Sequence, residues 1–413
     1  MQTQLAPEYR ATPEGAEAEA ILRKCVHCGF CTATCPTYQV LGDELDGPRG
    51  RIYLIKQVLE GETPTRKTQM HLDRCLTCRN CESTCPSGVQ YGHLVDIGRK
   101  IVDEQVPRPA GERALRWALK EGLPSPLFGP AMKLGQAVRG ALPEKLRAKV
   151  PEARPAGTWP TRRHARKVLM LAGCVQPAMA PNINSATARV LDAAGIEVVL
   201  APEAGCCGAV KFHLNDQEGG RAQMRANIDA WWPYVEKGEV EALVMNASGC
   251  GVTVKEYGHA LQHDAQYAAK AARISALTRD LSELLPDLVP ALRERLGGVP
   301  QGTVAYHPPC TLQHGQKLRG GVEAHLRALG FDVRVATSES HLCCGSAGTY
   351  SVLQPEMATG LRDRKLGHLG ALAPVVIASA NIGCITHLQS GTATPVKHWV
   401  ELLDEALAPA CAT

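Results

Sequence analysis

Apolar positions near the N-terminus recur at intervals of three and four residues. Between residues 51 and 60 they stand at positions 52, 54, 55, 58 and 59, and Gly61 follows as a stop signal. The same spacing returns between residues 89 and 106, at Leu94, Val95, Ile97, Ile101 and Val102. This period is typical of amphipathic helices. We therefore predict a mainly helical domain over residues 1–107.

The pattern changes after residue 166 to short apolar runs that alternate with helical stretches. The runs lie at residues 167–172, 196–201 and 242–246, and again at 303–306, 331–336 and 375–378. Residues 186–194 and 221–232 have helical spacing, and Pro233 is expected to end the second of these helices. Strands that alternate with helices predict a parallel sheet, whose ligand sites lie beyond the carboxyl ends of the strands.

Residues 108–166 join these two parts. In this segment basic residues are interspersed with large apolar residues. Arg113, Arg116, Lys120, Lys133, Arg139, Lys145, Arg147 and Lys149 are interspersed with Leu115, Trp117, Leu119, Leu127, Phe128, Met132, Leu134 and Val138. Our favoured interpretation is a connector whose apolar side packs on the neighbouring domain. The alternative is a set of short amphipathic helices that lie on an anionic membrane surface.

The second part of the chain is duplicated, which defines two modules at residues 167–300 and 301–413. Each module has one cysteine, then a Cys-Cys-Gly sequence, then a further cysteine. The separations are 32 and 43 residues in the first module and 33 and 40 in the second. The positions are Cys174, Cys206, Cys207 and Cys250, then Cys310, Cys343, Cys344 and Cys384. The predicted fold class is therefore α+β multidomain, with a helical domain followed by two duplicated α/β modules.

Two cysteine runs near the N-terminus carry the clearest chemistry. Each reads C-x2-C-x2-C-x3-C-P, at residues 25–36 and 75–86. This is the bacterial spacing for [4Fe-4S] clusters, in which the fourth cysteine of each run binds the other cluster. We assign Cys25, Cys28, Cys31 and Cys85 to one cluster, and Cys75, Cys78, Cys81 and Cys35 to the other.

Other uses of these cysteines explain the pattern less well. Structural zinc commonly takes two cysteine pairs, which leaves the third cysteine of each run and the proline unexplained. Disulfides suit exported domains, but the N-terminal residues are polar and lack the apolar stretch of a signal peptide. We therefore expect a cytoplasmic protein whose cysteines stay reduced.

Charge and hydropathy limit the partners further. Lys and Arg total 45 against 41 Asp and Glu, and this balance argues against nucleic acid as a partner. The longest apolar runs fall short of the roughly 20 residues that cross a bilayer. No G-x-G-x-x-G sequence follows a predicted strand, so the chain offers no nucleotide site of its own.

The cysteines of the two modules leave more than one hypothesis open. All of them follow predicted strands, and four thiolates are the number that an iron–sulfur cube requires, so one or two further clusters are expected. Alternatively, the thiols fill space in tight turns, and the modules are a scaffold that docks flavoproteins. A third hypothesis makes the Cys-Cys-Gly sites the centre of a disulfide reductase. Cys411 lies outside every pattern and is expected to be a free thiol.

These motifs together resemble a family, the iron–sulfur subunits of bacterial dehydrogenases related to heterodisulfide reductases. Among its members, the chain is most similar to the glycolate oxidase subunits. The similarity is carried by residues 25–38, by Gly42-Asp-Glu-Leu-Asp-Gly-Pro-Arg-Gly-Arg-Ile-Tyr53, by His341-Leu-Cys-Cys-Gly-Ser-Ala-Gly-Thr-Tyr350 and by Ala380-Asn-Ile-Gly-Cys384. It covers nearly the whole chain and is weakest at residues 107–166.

The resemblance implies an electron-transfer subunit of a complex that oxidises glycolate to glyoxylate. FAD-binding partner subunits would oxidise the substrate, and a quinone-type acceptor would receive the electrons, with peripheral association at the cytoplasmic face of the inner membrane left open. Related lactate or glycerol-3-phosphate dehydrogenases, and a catalytic subunit like the heterodisulfide reductases, are the alternatives.

One departure from the heterodisulfide reductases affects the modules. Those enzymes end the module with Cys-x-x-Cys and so hold an unusual cluster with five thiolates. Here Thr253 and His387 stand where the last cysteine would be. The resemblance therefore leaves two options, a conventional four-thiolate cluster or substitution by His387 in the second module. That module also has His307, His314 and His341 near its cysteines in sequence, which makes it the better candidate for a working site.

Overall fold

The computed structural model describes residues 1–147 and 150–407, apart from the side chains of residues 145 and 146. Cys411 lies outside the described residues. Residues 1–107, all of which are described, form helices without strands, as the apolar spacing predicts. The helices are α1 Pro7–Arg10, α2 Pro13–Lys24, α3 Phe30–Ala33, α4 Pro36–Leu41, α5 Pro48–Leu59, α6 Arg66–Asp73, α7 Asn80–Thr84 and α8 Tyr91–Gln105, with a 3-10 turn at Glu44–Asp46.

The core of this helical domain comes from the longer helices. Ile21 and Leu22 of α2, Ile55 of α5 and Leu94 and Val95 of α8 are almost wholly buried. Buried residues three or four positions apart, such as Ala18 with Ile21 and Leu22, lie on one face of each helix, and these faces meet. The cysteine loops that precede α3 and α7 are therefore anchored to a rigid helical layer.

The segment between the domains differs from the favoured interpretation. It forms α9 Ala110–Gly122, α10 Phe128–Ala137 and α11 Glu144–Arg147, with a 3-10 turn at Arg139–Ala141. Neither α9 nor α10 has a buried residue, and the side chains of Trp117 and Leu127 are 65% and 74% exposed. The expected packing of the apolar side on a neighbouring domain is therefore wrong for these residues.

The polar side of α9 makes the contacts instead. Arg116 pairs with Asp73 of the helical domain at 2.9 Å, and Lys120 pairs with Asp216 of the first module at 3.1 Å. Salt bridges thus hold α9 between the two domains, and its apolar residues face outward. Among the described residues, no helix combines the length and the apolar character needed to cross a bilayer.

The first module is built on a four-stranded parallel sheet in the order β2-β1-β3-β4. Val168 of β1 lies opposite Val198 and Ala242, which fixes the register of β1 with its two neighbours, β2 and β3. The elements are β1 Arg166–Met170, α12 Gln176–Met179, α13 Pro181–Ala193, β2 Ile196–Val199, α14 Ala209–His213, α15 Gln217–Glu236, β3 Ala242–Met245, α16 Ser248–Lys255, α17 Tyr257–Ala260, α18 Ala268–Leu277, β4 Thr278–Asp280 and α19 Leu285–Arg293, with a 3-10 turn at Leu281–Leu284.

Helix α15 does not end at Pro233 as the sequence predicts. Pro233 is exposed, whereas Trp231 and Val235 are buried one turn apart on the inner face. A proline inside a helix costs about 3 kcal/mol, and fully burying a large apolar side chain returns about 1.5–3 kcal/mol. Burial of these two side chains offsets the proline, so the helix continues to Glu236.

The second module repeats the arrangement, with a parallel sheet in the order β6-β5-β7-β8. Its elements are β5 Thr303–Tyr306, α20 Gly321–Ala328, β6 Asp332–Arg334, α21 Tyr350–Leu353, α22 Pro355–Gly370, β7 Val376–Ser379, α23 Ile382–Gln389, β8 Val396–His398 and α24 Trp399–Leu407, with a π turn at Thr311–Gly315. The two modules share one core, to which Val168, Ile183, Val304, Ile377 and Trp399 contribute.

The cysteine-bearing edges of the two sheets adjoin each other. The backbone N–H of Ser248 donates to the carbonyl of Ala380 at 3.0 Å, and the Ser248 and Thr311 hydroxyls are 2.7 Å apart. In both modules the last cysteine, Cys250 or Cys384, lies in the first turn of the helix that follows the third strand in the chain. The predicted position of the cysteines beyond the strand ends is confirmed.

Candidate iron–sulfur centres

The two N-terminal cysteine loops adopt the same unusual backbone. His27 and Gly29 have positive φ in the first loop, and Thr77 and Arg79 have positive φ at the equivalent positions of the second. For a residue other than glycine this conformation costs roughly 1–2 kcal/mol. The strain turns each loop tightly, so that its three cysteines face one point.

The fourth cysteines cross between the loops. Cys85 lies beside Cys25, Cys28 and Cys31, and the four line one small cavity. Burial, together with the nearby thiols of Cys25, Cys28 and Cys85, raises the pKa of Cys31 to about 11.

In the second loop Cys35 takes the equivalent place. It lines a separate cavity with Cys75, Cys78 and Cys81. The structure thus brings the cysteines together in the two predicted sets, each able to surround a four-iron cluster. That these sets bind clusters stays a prediction.

A buried cation lies beside the second set. The Arg51 side chain is 1% exposed, and its guanidinium donates to the carbonyl of His71 at 2.7 Å and the hydroxyl of Thr37 at 3.1 Å. Cys35 and Cys75 lie within its electrostatic reach. A guanidinium in this place favours thiolates, the form that binds iron.

Without metal, two cysteines of this set disfavour the thiolate form. Burial raises the pKa of Cys78 and of Cys81 far above the ordinary value, and neighbouring thiols raise both further. Iron ions reverse this preference, because a coordinating thiol gives up its proton. The crowding of four sulfurs around one cavity, with the Arg51 guanidinium nearby, therefore fits an iron–sulfur cluster.

The four cysteines of the second module form a chain of neighbouring sulfurs. The Sγ atoms of Cys310 and Cys343 are 3.9 Å apart, and Cys344 contacts Cys343 on one side and Cys384 on the other. All four residues are buried. The Asn381 amide donates to the Cys384 sulfur at 3.7 Å. Three separate segments thus converge at the strand ends, as the sequence predicts.

One histidine of the four near this module joins the sulfurs. The ligand atoms of His307, Cys344 and Cys384 lie within 4.8 Å of one another. His387 does not take the expected place, because its Nε2 lies 3.0 Å from the carbonyl of Ala358. The sequence places four histidines near the cysteines but does not single out His307. The feature that could have identified it is its position directly after strand β5, at the sheet edge where the cysteines lie.

The first module assembles its cysteines in the same order. Cys206 contacts Cys174 and Cys207, and Cys207 contacts Cys250. Hydrogen bonds from Cys174 and Cys207 lower the pKa of Cys206 to about 3, so one thiolate is stabilised by its neighbours. Leu171 occupies the place of His307 in the second module, three residues before the first cysteine. The first module therefore offers four sulfurs and no imidazole at this point.

The second N-terminal set is in direct contact with the second module. Leu76 and Cys78 pack in one apolar cluster with Cys310 and Cys343. Hydrogen bonds fix the contact, since the Tyr350 hydroxyl donates to the carbonyl of Arg74 at 3.0 Å. A second link joins the Ser83 hydroxyl and the His314 ring at 3.0 Å. The residues of this interface were not identified from the sequence.

The helical domain meets the first module across a cavity of about 370 Å³. Glu17, His93 and His259 lie close enough in its wall to suggest a metal site. The rings of His93 and His259 are stacked, however, with centroids 4.0 Å apart and planes within 14°. A metal ion lies near the plane of each imidazole that binds it, and two stacked planes share no such point. The group is therefore an ion-pair network.

Comparison with known proteins agrees with this architecture. Residues 21–89 match the 4Fe-4S dicluster domain family, and residues 168–255 and 304–389 each match the Cysteine-rich domain family. The boundaries at residues 107, 166 and 300 stay predictions.

Three relatives span much of the chain. It is 57% identical over 409 residues to the "Glycolate oxidase iron-sulfur subunit" of Escherichia coli K12, which covers 98% of this chain and 99% of the relative. The "Probable glycolate oxidase iron-sulfur subunit" of Bacillus subtilis is 32% identical, with 90% and 89% covered. "Lactate utilization protein A" of Geobacillus kaustophilus is 27% identical over 251 residues. That alignment covers 58% of this chain and 98% of the relative. The chain belongs to the family of glycolate oxidase iron–sulfur subunits.

Proposed function

We propose that this chain is the electron-transfer subunit of a glycolate dehydrogenase complex. Partner subunits that bind FAD would oxidise glycolate to glyoxylate, and this chain would pass the electrons to a quinone-type acceptor. The relative with 57% identity bears the name of such a subunit, which supports the proposal. Iron–sulfur clusters supply one-electron transfer over a wide range of potentials, which no side chain of this protein offers.

The observation that carries the proposal is the contact between Cys78 and the pair Cys310 and Cys343. It places the second N-terminal set beside the second module, where Cys78 packs against an apolar cluster that contains the buried Cys310 and Cys343. Cys35 and Cys85 cross between the two N-terminal loops and hold the first set against the second. Sixteen cysteines in four sets would hold the clusters, and three of these sets follow one another through the protein.

The remaining residues at this contact exclude water and hold the sets in place. Tyr350 is buried, and it joins the carbonyl of Arg74 just before the second loop. Arg51 is buried beneath the same loop and compensates negative charge on its sulfurs. A dry contact of this kind favours electron transfer over side reactions with solvent.

The experiment uses the Cys78→Ser variant in the purified complex with its flavin partners. We expect flavin reduction by glycolate to persist and quinone reduction to be lost, because only the second step needs the contact at Cys78. Cys411→Ser is the matched control and should change neither step. Normal quinone reduction in a variant that has lost a cluster by spectroscopy would refute the proposal. If lactate reduces the flavin of the complex and glycolate does not, the complex is the related lactate dehydrogenase.

A further inference from the structure

His307 is a buried polar side chain without a partner. It is 1% exposed, and neither ring nitrogen has a hydrogen-bond partner among the described residues. Burying an imidazole in this way costs free energy unless another group bonds to it. Such unsatisfied groups are rare in folded proteins and call for a physical explanation.

The backbone of His307 fixes where the ring lies. Its N–H donates to the carbonyl of Ala378 at 2.8 Å, which continues the pairing of β5 with β7. Its own carbonyl accepts from the Ser379 hydroxyl at 3.0 Å. The residue is thus held at the carboxyl edge of the sheet, on the side where the cysteines converge.

The ring lies at the distance that a shared iron requires. Its nitrogen and the sulfurs of Cys344 and Cys384 lie within 4.8 Å of one another. A tetrahedral metal with bonds of about 2.0–2.3 Å to nitrogen and sulfur separates its ligand atoms by roughly 3.5 Å. The three atoms therefore lie near enough to one another to bind the same cluster, whereas His307 makes no direct hydrogen bond to sulfur.

The other polar groups near this point are already engaged. The Lys365 ammonium donates to the carbonyl of Glu339, and the His314 ring lies 2.9 Å from the carbonyl of His341. His387 faces the carbonyl of Ala358. Among the described residues, His307 is the histidine whose ring nitrogen lies within 4.8 Å of the Cys344 and Cys384 sulfurs.

We propose that His307 binds an iron of the second module's cluster through a ring nitrogen, at the corner held by Cys344 and Cys384. This inference rests on the proposed function, since it requires that the second module hold iron. It also makes the duplicated modules unequal, because Leu171 supplies no donor atom at the equivalent place. The second module then has five donors, and the first has four.

The test measures nitrogen coupling to the reduced cluster by pulsed electron paramagnetic resonance. The full-length holoprotein is prepared anaerobically with natural and with ¹⁵N-labelled histidine. We expect the coupling of a directly bound nitrogen, which changes with the label, on the signal that Cys344→Ala removes. His307→Leu, which reproduces Leu171 of the first module, should abolish this coupling and leave the signals of the N-terminal sets unchanged.

His387→Gln is the matched control, because position 387 is close to Cys384 in sequence. The glutamine amide can still donate to the carbonyl of Ala358. This variant should retain the nitrogen coupling. A cluster signal without histidine coupling in the unmodified protein, or coupling that survives His307→Leu, would overturn the inference and leave the proposed function intact. Iron content that is unchanged by Cys344→Ala would overturn both, because the second module would then hold no cluster. If His307→Leu fails to fold, the presence or absence of the histidine nitrogen coupling in the unmodified protein decides the question.

Discussion

The ion pairs between the helical domain and the first module predict a pH-dependent interface. His93 of α8 lies 3.2 Å from Glu17 and 3.5 Å from Glu256, and its ring stacks on His259. Arg79 also forms an ion pair with Glu256, and so competes with His93 for this carboxylate. Replacing His93 by Gln keeps a polar side chain of similar length but removes the titratable charge.

The size of the effect follows from the pKa of His93. Burial alone would lower this pKa, but hydrogen bonds to Glu17 and Glu256 raise it from 6.5 to about 9. At 1.36 kcal/mol per pKa unit, the rise from 6.5 to about 9 means that protonated His93 stabilises the closed interface by about 3 kcal/mol. The pair with Glu17 is counted once in this figure. The pKa of Glu17 is itself lowered to about 2 against the opposing effect of burial, first by the hydrogen bond with His259 and then by His93.

The sign follows from which state has the shifted pKa. The folded protein has the raised value, so the stabilisation is complete below pH 6.5 and is lost as the pH rises through about 9. Glu17 sets the acid limit, because its contribution is present above pH 4.5 and is lost as the pH falls towards 2. The interface should therefore be most stable between these limits and should open more readily in alkaline solution.

Hydrogen exchange of α17 measures this opening directly. The amide of Ala260 donates to the carbonyl of Glu256, so its protection reports the closed interface. Between pH 6.5 and 9, after correction for the intrinsic exchange rate, unmodified protein should lose about 30- to 150-fold more protection than His93→Gln. His263→Gln, in the same cavity wall but exposed, should behave as the unmodified protein does. Equal losses in the unmodified protein and His93→Gln would refute the assignment.

Three further outcomes test the cysteine sets and the exposed helices. Cys35→Ala should alter the same paramagnetic signal as Cys75→Ala, and a change in the other N-terminal signal would mean that each loop closes its own cluster. Cys344→Ala should lower iron content or acceptor reduction more than Cys207→Ala, and equal effects would contradict the inequality of the modules. Trp117→Ser should reduce co-sedimentation with anionic vesicles at least tenfold, and unchanged sedimentation would exclude a lipid contact at α9.

The parts of the fold that depend on spacing could be predicted from the sequence. The helices α5 and α8, the two cysteine loops and the duplicated modules follow from spacings that are visible in the sequence. The fourth strands, β4 and β8, could not be predicted in this way. They are three residues long, and β4 reads Thr-Arg-Asp, which has no apolar run. Pairing with β3 and β7, rather than local preference, makes these segments extended.

Two residues at the site that the sequence does not single out share a different property. Arg51 and His307 belong to types that are mostly exposed or partly exposed, yet both are nearly inaccessible to solvent. Arg51 stands on the predicted helix after the first loop, and only its contacts with Asp46, Thr37 and His71 reveal that it faces inward. Periodicity identifies which face of a helix is apolar, but it does not identify a polar residue placed on that face to meet a charge.

The unequal surroundings of the modules explain why a duplicated sequence need not have a duplicated function. Both modules place four sulfurs at the sheet edge, but only the second packs these sulfurs against Cys78 among the described residues. The first meets the helical domain through charged side chains and a cavity, which includes Glu256 and His93. Electron transfer weakens with distance and benefits from a dry contact, so the second module has the better position. We therefore expect the first module to tolerate the loss of a cysteine with less effect on acceptor reduction than the second.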